Sequence, residues 1–268
     1  MLKNYSIIKI SGPDAEKFLQ GQLSNDITEL KKKPWQLSCY CNQKGRIISF
    51  LWLAFYKEAY YLCLPGSAVE LTLVDLKKFG AFSRVEIQLI ENLKLQAIFE
   101  ELTDNIRKQA LVCMDYSPDL SLALVETESK ITEISDTDRW ELANINNELP
   151  IIFKEQQEKF TPHQLNLQHK NALAFKKGCY RGQEIVARME YLGKLKQQMV
   201  RVEISGSHSL ETLTLIQTLD GDNIGEIVNI KAVAKDTYLA LAVLNKAAVA
   251  AANTGIILLK NGQELKIL

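Results

Sequence analysis

Between residues 36 and 64, three apolar, aromatic-rich runs follow one another with little polar sequence between them, and no other feature restricts the fold as much. Leu37, Cys39 and Cys41 share one face of a first strand, and Asn42-Gln43-Lys44-Gly45 reads as a turn. Ile47 to Tyr56 and Ala59 to Leu64 read as two further strands. A sheet this apolar must be covered by other elements, and the flanking sequence supplies them. Tyr5 to Ile10 alternates as a half-buried strand. Ala15, Phe18, Leu19, Gln22 and Leu23 then predict a helix with one buried face, with Ser11 as its cap, Pro13 in its first turn and Asp14 at its positive end. Ser67 to Phe79 predicts a second helix, with Val69, Leu73, Leu76 and Phe79 on one stripe. Ser135 to Ile145 predicts another, carrying Trp140. The class is α+β.

The length, 268 residues, suits about two domains. After residue 197 the texture changes to short strand-like runs with glycine turns at 206, 221, 225, 255 and 262, which predicts a separate C-terminal β-barrel or sandwich of about 70 residues. Residues 147–183 are polar, with no convincing period and few apolar anchors, and an irregular stretch of that length inside a domain is either functional or contains elements the pattern fails to reveal. Lys+Arg and Asp+Glu number 32 each, a balance that argues against a dedicated nucleic-acid binder but allows a local basic patch. No apolar run approaches the length of a membrane span, and the first ten residues lack a signal peptide's core. Five cysteines without a disulfide-framework spacing suit reduced thiols, so a cytoplasmic location is expected.

Chemistry concentrates in Lys176-Lys177-Gly178-Cys179-Tyr180-Arg181-Gly182-Gln183-Glu184. Glycines on both sides allow a turn that presents the thiol at a loop tip. Three cations within three residues favour thiolate, the reactive form. The competing use is an inert buried cysteine, common for that residue type. Cys39 and Cys41 lack the companions a zinc site needs. His163, His169 and His208 are scattered, and Lys31-Lys32-Lys33 reads as a solvated helix end. No P-loop or G-x-G-x-x-G is present. Tyr5 and Trp140, taken alone, read as core aromatics.

The run Lys177-Gly178-Cys179-Tyr180-Arg181-Gly182-Gln183-Glu184-Ile185-Val186-Ala187-Arg188 closely resembles the K-G-C-Y-x-G-Q-E signature of the YgfZ family of folate-binding proteins. Gly12, Asp14-Ala15, Phe18-Leu19-Gln20-Gly21-Gln22 and Asn25-Asp26 resemble that family's N-terminal pattern. Cys39 to Arg46 resembles its hairpin, and Trp140, Phe160-Thr161-Pro162 and Asn166-Leu167 resemble the approach to the cysteine motif. The resemblance implies the fold of the glycine-cleavage aminomethyltransferase (T-protein), with three lobes in a ring. The lobes expected are a folate-binding lobe of residues 1–38 plus 130–195, an inserted α+β lobe of 39–129 and a barrel of 196–268.

It further implies a cytoplasmic accessory role in making or repairing iron–sulfur enzymes, including radical enzymes that thiolate tRNA. Tetrahydrofolate or a derivative would be the ligand and Cys179 the catalytic residue, in transient contact with an iron–sulfur cluster. Tyr5 and Trp140 would line the folate, and Arg188, Lys194 and Lys196 are candidates for its glutamate tail. Lys177, Gly178, Tyr180, Gly182, Gln183 and Glu184 complete the motif. Partners would be folate, iron–sulfur client enzymes and, on one reading, tRNA itself. Two departures from the pattern are Arg181, where Thr or Ile is common, and His163, where Gln or Glu is common. Ser49 and Phe50 occupy the positions of two acids in the aminomethyltransferases, which counts against the alternative of a one-carbon transferase.

Overall fold

The alternation at the start of the chain becomes strand β1 (Tyr5–Ser11), with Ile8 and Ile10 fully buried. The computed structural model describes residues 2, 4–99, 102–117, 120–129, 137–193, 195–252 and 256–268. Helix α1 (Ala15–Gln22) buries Ala15, Phe18 and Leu19, the face its spacing predicts. Its entry differs from expectation. Ser11 stays in the strand, and Asp14 makes no side-chain bond to the helix. The Asp14 carboxylate instead accepts from N, Nε and Nη2 of Arg84, each at 3.0 Å, since a guanidinium fork satisfies both oxygens at once. These bonds hold the Asp14 carboxyl down at about 2.

The meander forms as predicted, from β2 (Trp35–Cys41), β3 (Ile47–Tyr56) and β4 (Ala59–Pro65), antiparallel and almost wholly buried. Helix α2 (Val69–Gly80) buries Thr72, Leu76 and Gly80, and its Val69, Leu73 and Phe79 pack on the same cluster as Leu19, Leu51 and Leu62. Strand β5 (Glu86–Ile90) completes a sheet of order β2-β3-β4-β1-β5. Next come β6 (Leu93–Ile98), α3 (Asp104–Gln109), β7 (Val112–Ser117) and β8 (Leu120–Glu126). These strands form a separate sheet of order β6-β8-β7, with its own core of Ile98, Leu102, Ala123 and Val125.

Helix α4 (Thr137–Asn146) carries Trp140; its expected cap, Ser135, lies outside the described residues. Residues 147–182 hold only two short 3-10 turns, Lys154–Gln156 and Leu167–Lys170, before α5 (Gln183–Leu192). The remainder comprises β9 (Gln197–Ser205), β10 (Leu215–Gln217), β11 (Asn223–Ala234), β12 (Thr237–Asn245), α6 (Lys246–Ala252), β13 (Ile257–Leu258) and β14 (Glu264–Ile267). Its sheet runs β10-β11-β12-β9-β14-β13. The two ends then meet, because Thr218 bridges to Leu259 and Lys260 N donates to the Gln217 carbonyl at 2.9 Å. A sheet whose edges pair with each other is a barrel. Gly225, expected in a turn, lies inside β11, where a side chain would strike the Val243 carbonyl. Gly255 lies outside the described residues.

The chain divides into two compact units. The first comprises Met1–Thr137, Ile152–Pro162 and Leu167–Ala187; the second comprises Asp138–Ile151, His163–Asn166 and Arg188–Leu268. The lobe boundary expected at residue 38 falls inside β2, whose ladder with β3 carries it into the sheet of β1. Hydrogen bonding therefore keeps residues on either side of that boundary together.

Within the second unit, buried Asn229 of β11 donates from Nδ2 to the Ile151 carbonyl at 2.8 Å and accepts from Ile151 N at 2.9 Å. Asn229→Ala leaves both backbone groups stranded. We expect urea melts to show a loss of about 2–4 kcal/mol, and an unchanged midpoint would mean that neither bond matters.

Candidate functional site

The segment singled out by its glycines and cations is irregular, and side chains that reach far along the chain hold it in place. Lys177 Nζ donates to the carbonyls of Leu23 and Asn25, each at 2.7 Å, and lies 5.2 Å from the centre of the Tyr180 ring. Burial lowers the Lys177 ammonium to about 8, against the opposing pull of Asp26. Arg181 Nη1 donates to the Tyr40 hydroxyl at 2.8 Å and pairs with the Asp75 carboxylate of α2. Its guanidinium carbon also sits 4.4 Å from the centre of the Phe79 ring. The Tyr40 hydroxyl in turn donates to the Asp75 carboxylate at 3.0 Å. Arg181 N donates to the Gly21 carbonyl at 3.1 Å.

These contacts correct one expectation. Lys177 and Arg181 were expected to surround the thiol with positive charge, yet both are committed to anchoring the loop, and Asp75 offsets the charge of Arg181. They also explain the departure at 181, since a Thr or Ile there could not span to Asp75.

Above this base Cys179 is exposed, while Tyr180 beside it is buried. The Tyr180 hydroxyl has no hydrogen-bond partner among the described residues, and burial near Cys41 and Cys39 pushes it up. Gly182 has φ +80°, and a Cβ on it would lie 2.5 Å from the Asn42 carbonyl oxygen. Only glycine permits that approach between the motif and the β2–β3 turn. The turn's Gln43 joins Cys179, Arg181, Gln183 and Glu184 in lining an open cavity of about 660 Å³. Cys179 is the only cysteine lining it. The site thus offers a single accessible thiol in a cavity that Gln43, Gln183 and Glu184 share with the anchored Arg181. Gln43 is a member that its sequence alone does not mark; its signal is its place in the turn of the hairpin motif.

The other thiols differ. Cys39, Cys41 and Cys63 are buried in β2 and β4, and burial pushes all three up, Cys41 to about 12. Cys113 is half-buried and raised for the same reason. Ser49 is fully buried and hydrogen-bonded to Thr72, whose hydroxyl is donated to the Ala68 carbonyl at 2.8 Å. Phe50 is buried too. Neither of the two positions carries an ionisable side chain.

Of the remaining candidates, Tyr5 opens β1 opposite Pro65 and is partly exposed. Trp140 is 1% exposed, so both faces of its indole are covered by protein. Arg188 and Lys196 are exposed, and Lys194 lies outside the described residues. None of Tyr5, Trp140 and Arg188 lines the Cys179 cavity. His163 is buried and its Nε2 lies 3.1 Å from Glu190 Oε2, which shows what this loop does with an imidazole.

A folded chain with these two units and sheets has a solved counterpart. The glycine cleavage system aminomethyltransferase T from Bartonella henselae superposes with a TM-score of 0.66 over 99% of this chain and 83% of that one, at 12% identity. The fold is therefore that of the aminomethyltransferase T-protein. No family model matches the chain. Among curated proteins it is similar to the tRNA-modifying protein YgfZ of Vibrio vulnificus, 30% identical over 83% of this chain and 75% of the relative. The protein of that name from Aliivibrio fischeri MJ11 is 31% identical over 74% and 68%. The chain belongs to the YgfZ family.

Two measurements test the site's geometry. Brief alkylation at neutral pH, followed by peptide mapping, should label Cys179 first, Cys113 more slowly and the three strand cysteines last, because burial disfavours thiolate; early labelling of Cys39 or Cys41 would contradict the packing. The second concerns pH. A lysine whose folded value lies below its ordinary 10.5 is protonated less in the folded state, so its contribution to stability rises between about pH 8 and 10.5. The raised thiols act oppositely above their ordinary range. Stability should therefore climb more steeply with pH across that window in the native chain than in Lys177→Met, and denaturant melts at stepped pH giving equal slopes would refute the buried clamp.

Proposed function

We propose that this chain is a folate-binding accessory factor for tRNA modification, acting through Cys179 in support of iron–sulfur enzymes that thiolate tRNA. The observation that carries this reading is the contrast among the cysteines: an anchored loop exposes Cys179 beside an open cavity, while the strand thiols are sealed. The names of the relatives supply the tRNA link, and the signature around Cys179 supplies the iron–sulfur link. A cluster touched by Cys179 needs further thiolates, and no second cysteine lines the cavity. Those ligands would come from the client enzyme. Loss of the acids at Ser49 and Phe50 speaks against aminomethyl transfer.

The folate residues fit unevenly. Tyr5 and Arg188 each have accessible surface, as an aromatic contact and a cation for a carboxylate tail require. Trp140 does not fit a ligand wall, because its ring has no open face. A bound reduced folate would supply a pterin able to carry a one-carbon unit.

Complementation of cells lacking the protein tests the central claim. Cys179→Ala should abolish restoration of tRNA thiolation while leaving stability within about 0.5 kcal/mol, since an exposed thiol buries little; normal thiolation by that variant would end the proposal. For the ligand, tetrahydrofolate titration should give weaker binding by about 1–3 kcal/mol in Tyr5→Ala, the scale of a lost ring stack. Trp140→Ala should instead cost about 3–5 kcal/mol of stability, the expectation for a large buried aromatic. A Trp140→Ala chain with native stability and impaired binding would restore that residue to the ligand site.

A further inference from the structure

We propose that the C-terminal barrel holds a ligand site of its own, taking a small monocarboxylate with an apolar body. A cavity of about 390 Å³ opens on the barrel where β10 approaches β13. Ile204, Leu210, Ile216, Ile227 and Leu259 form its walls, and four of these belong to the barrel's buried core. Small barrels ordinarily fill their interior with side chains, and barrel mouths are recurrent ligand sites.

The rim sets the head group. Lys260 lines the opening, is exposed, and its ammonium has no ion-pair partner among the described residues. Two polar neighbours are already engaged: the Asn261 side chain bonds to Gln263, and the Thr214 hydroxyl accepts from Glu211 N at 3.2 Å. A lone cation at the mouth of an apolar space matches an acid whose chain enters and whose carboxylate stays at the surface. The wall there is thin. Strand β10 has three residues and β13 two, and the seam beside them rests on one bridge and the Lys260–Gln217 backbone bond. Nothing in this assignment depends on Cys179.

Calorimetric titration of the full chain with hexanoate, heptanoate, octanoate and decanoate, with octanol as the neutral control, tests the site. Affinity should rise about fourfold per added methylene until the cavity is full. Lys260→Gln should weaken octanoate by up to about fivefold, the scale of an exposed ion pair, and leave octanol unchanged. Ile216→Phe should fill the space and abolish binding of both; if that variant does not fold by circular dichroism, Leu210→Phe at a half-buried position fills the same space. The proposal fails if octanoate shows no saturable binding at millimolar concentration, if affinity ignores chain length, or if a folded filling variant binds as the native chain does. Equal losses of octanoate and octanol in Lys260→Gln would overturn the carboxylate assignment.

Discussion

The candidate site depends on a pair of polar residues, Ser24 and Asn25, placed just after helix α1. An irregular segment cannot rest against a core unless its backbone polar groups find partners. Ser24 Oγ donates to the Ala172 carbonyl at 2.7 Å and accepts from Cys39 N at 2.8 Å. Asn25 Nδ2 donates to the carbonyls of Leu37 and Asn171, at 2.8 and 2.7 Å. Lys177 then closes the arrangement by taking the carbonyls of Leu23 and Asn25. Strand β2, the turn after α1 and the cysteine loop are thereby joined through one set of bonds.

The chemistry follows from that anchoring. A loop held from beneath by Lys177 and Arg181 can leave its tip open without losing its shape, so exposure of Cys179 does not require disorder. The charges nearest the thiol in sequence serve the scaffold, and the groups sharing its cavity are mostly polar and uncharged apart from Arg181 and Glu184. Access is what sets Cys179 apart from the other thiols. The buried thiols of β2 and β4 are held in the neutral form by desolvation.

The barrel solves a different problem. Its strands are short at one side, and closure there relies on a single bridge and a backbone bond rather than a full ladder. That economy leaves a cavity open beside the seam, while the opposite wall, β9 with β11 and β12, pairs over long ladders.

Local pattern was enough to read the strands of the meander, helices α1 and α2, the irregular stretch before α5 and the β-rich C-terminal region. Each of these is written in the spacing of apolar residues or in glycine punctuation, which act over a few positions. The cysteine motif was also legible, because its glycines and cations are contiguous. What Lys177 and Arg181 do was not legible: their partners lie 154 and 106 residues away along the chain. The same holds for Asp14, drawn from its helix to Arg84, 70 residues distant. Trp140 shows the limit most plainly, since an aromatic on a helix face reads alike whether it meets ligand or core. The sequence by itself determined which segments fold and which cysteine stands at a loop. Only the tertiary structure decided which charges are spent on anchoring and which rings are covered, because those outcomes depend on neighbours brought together by packing.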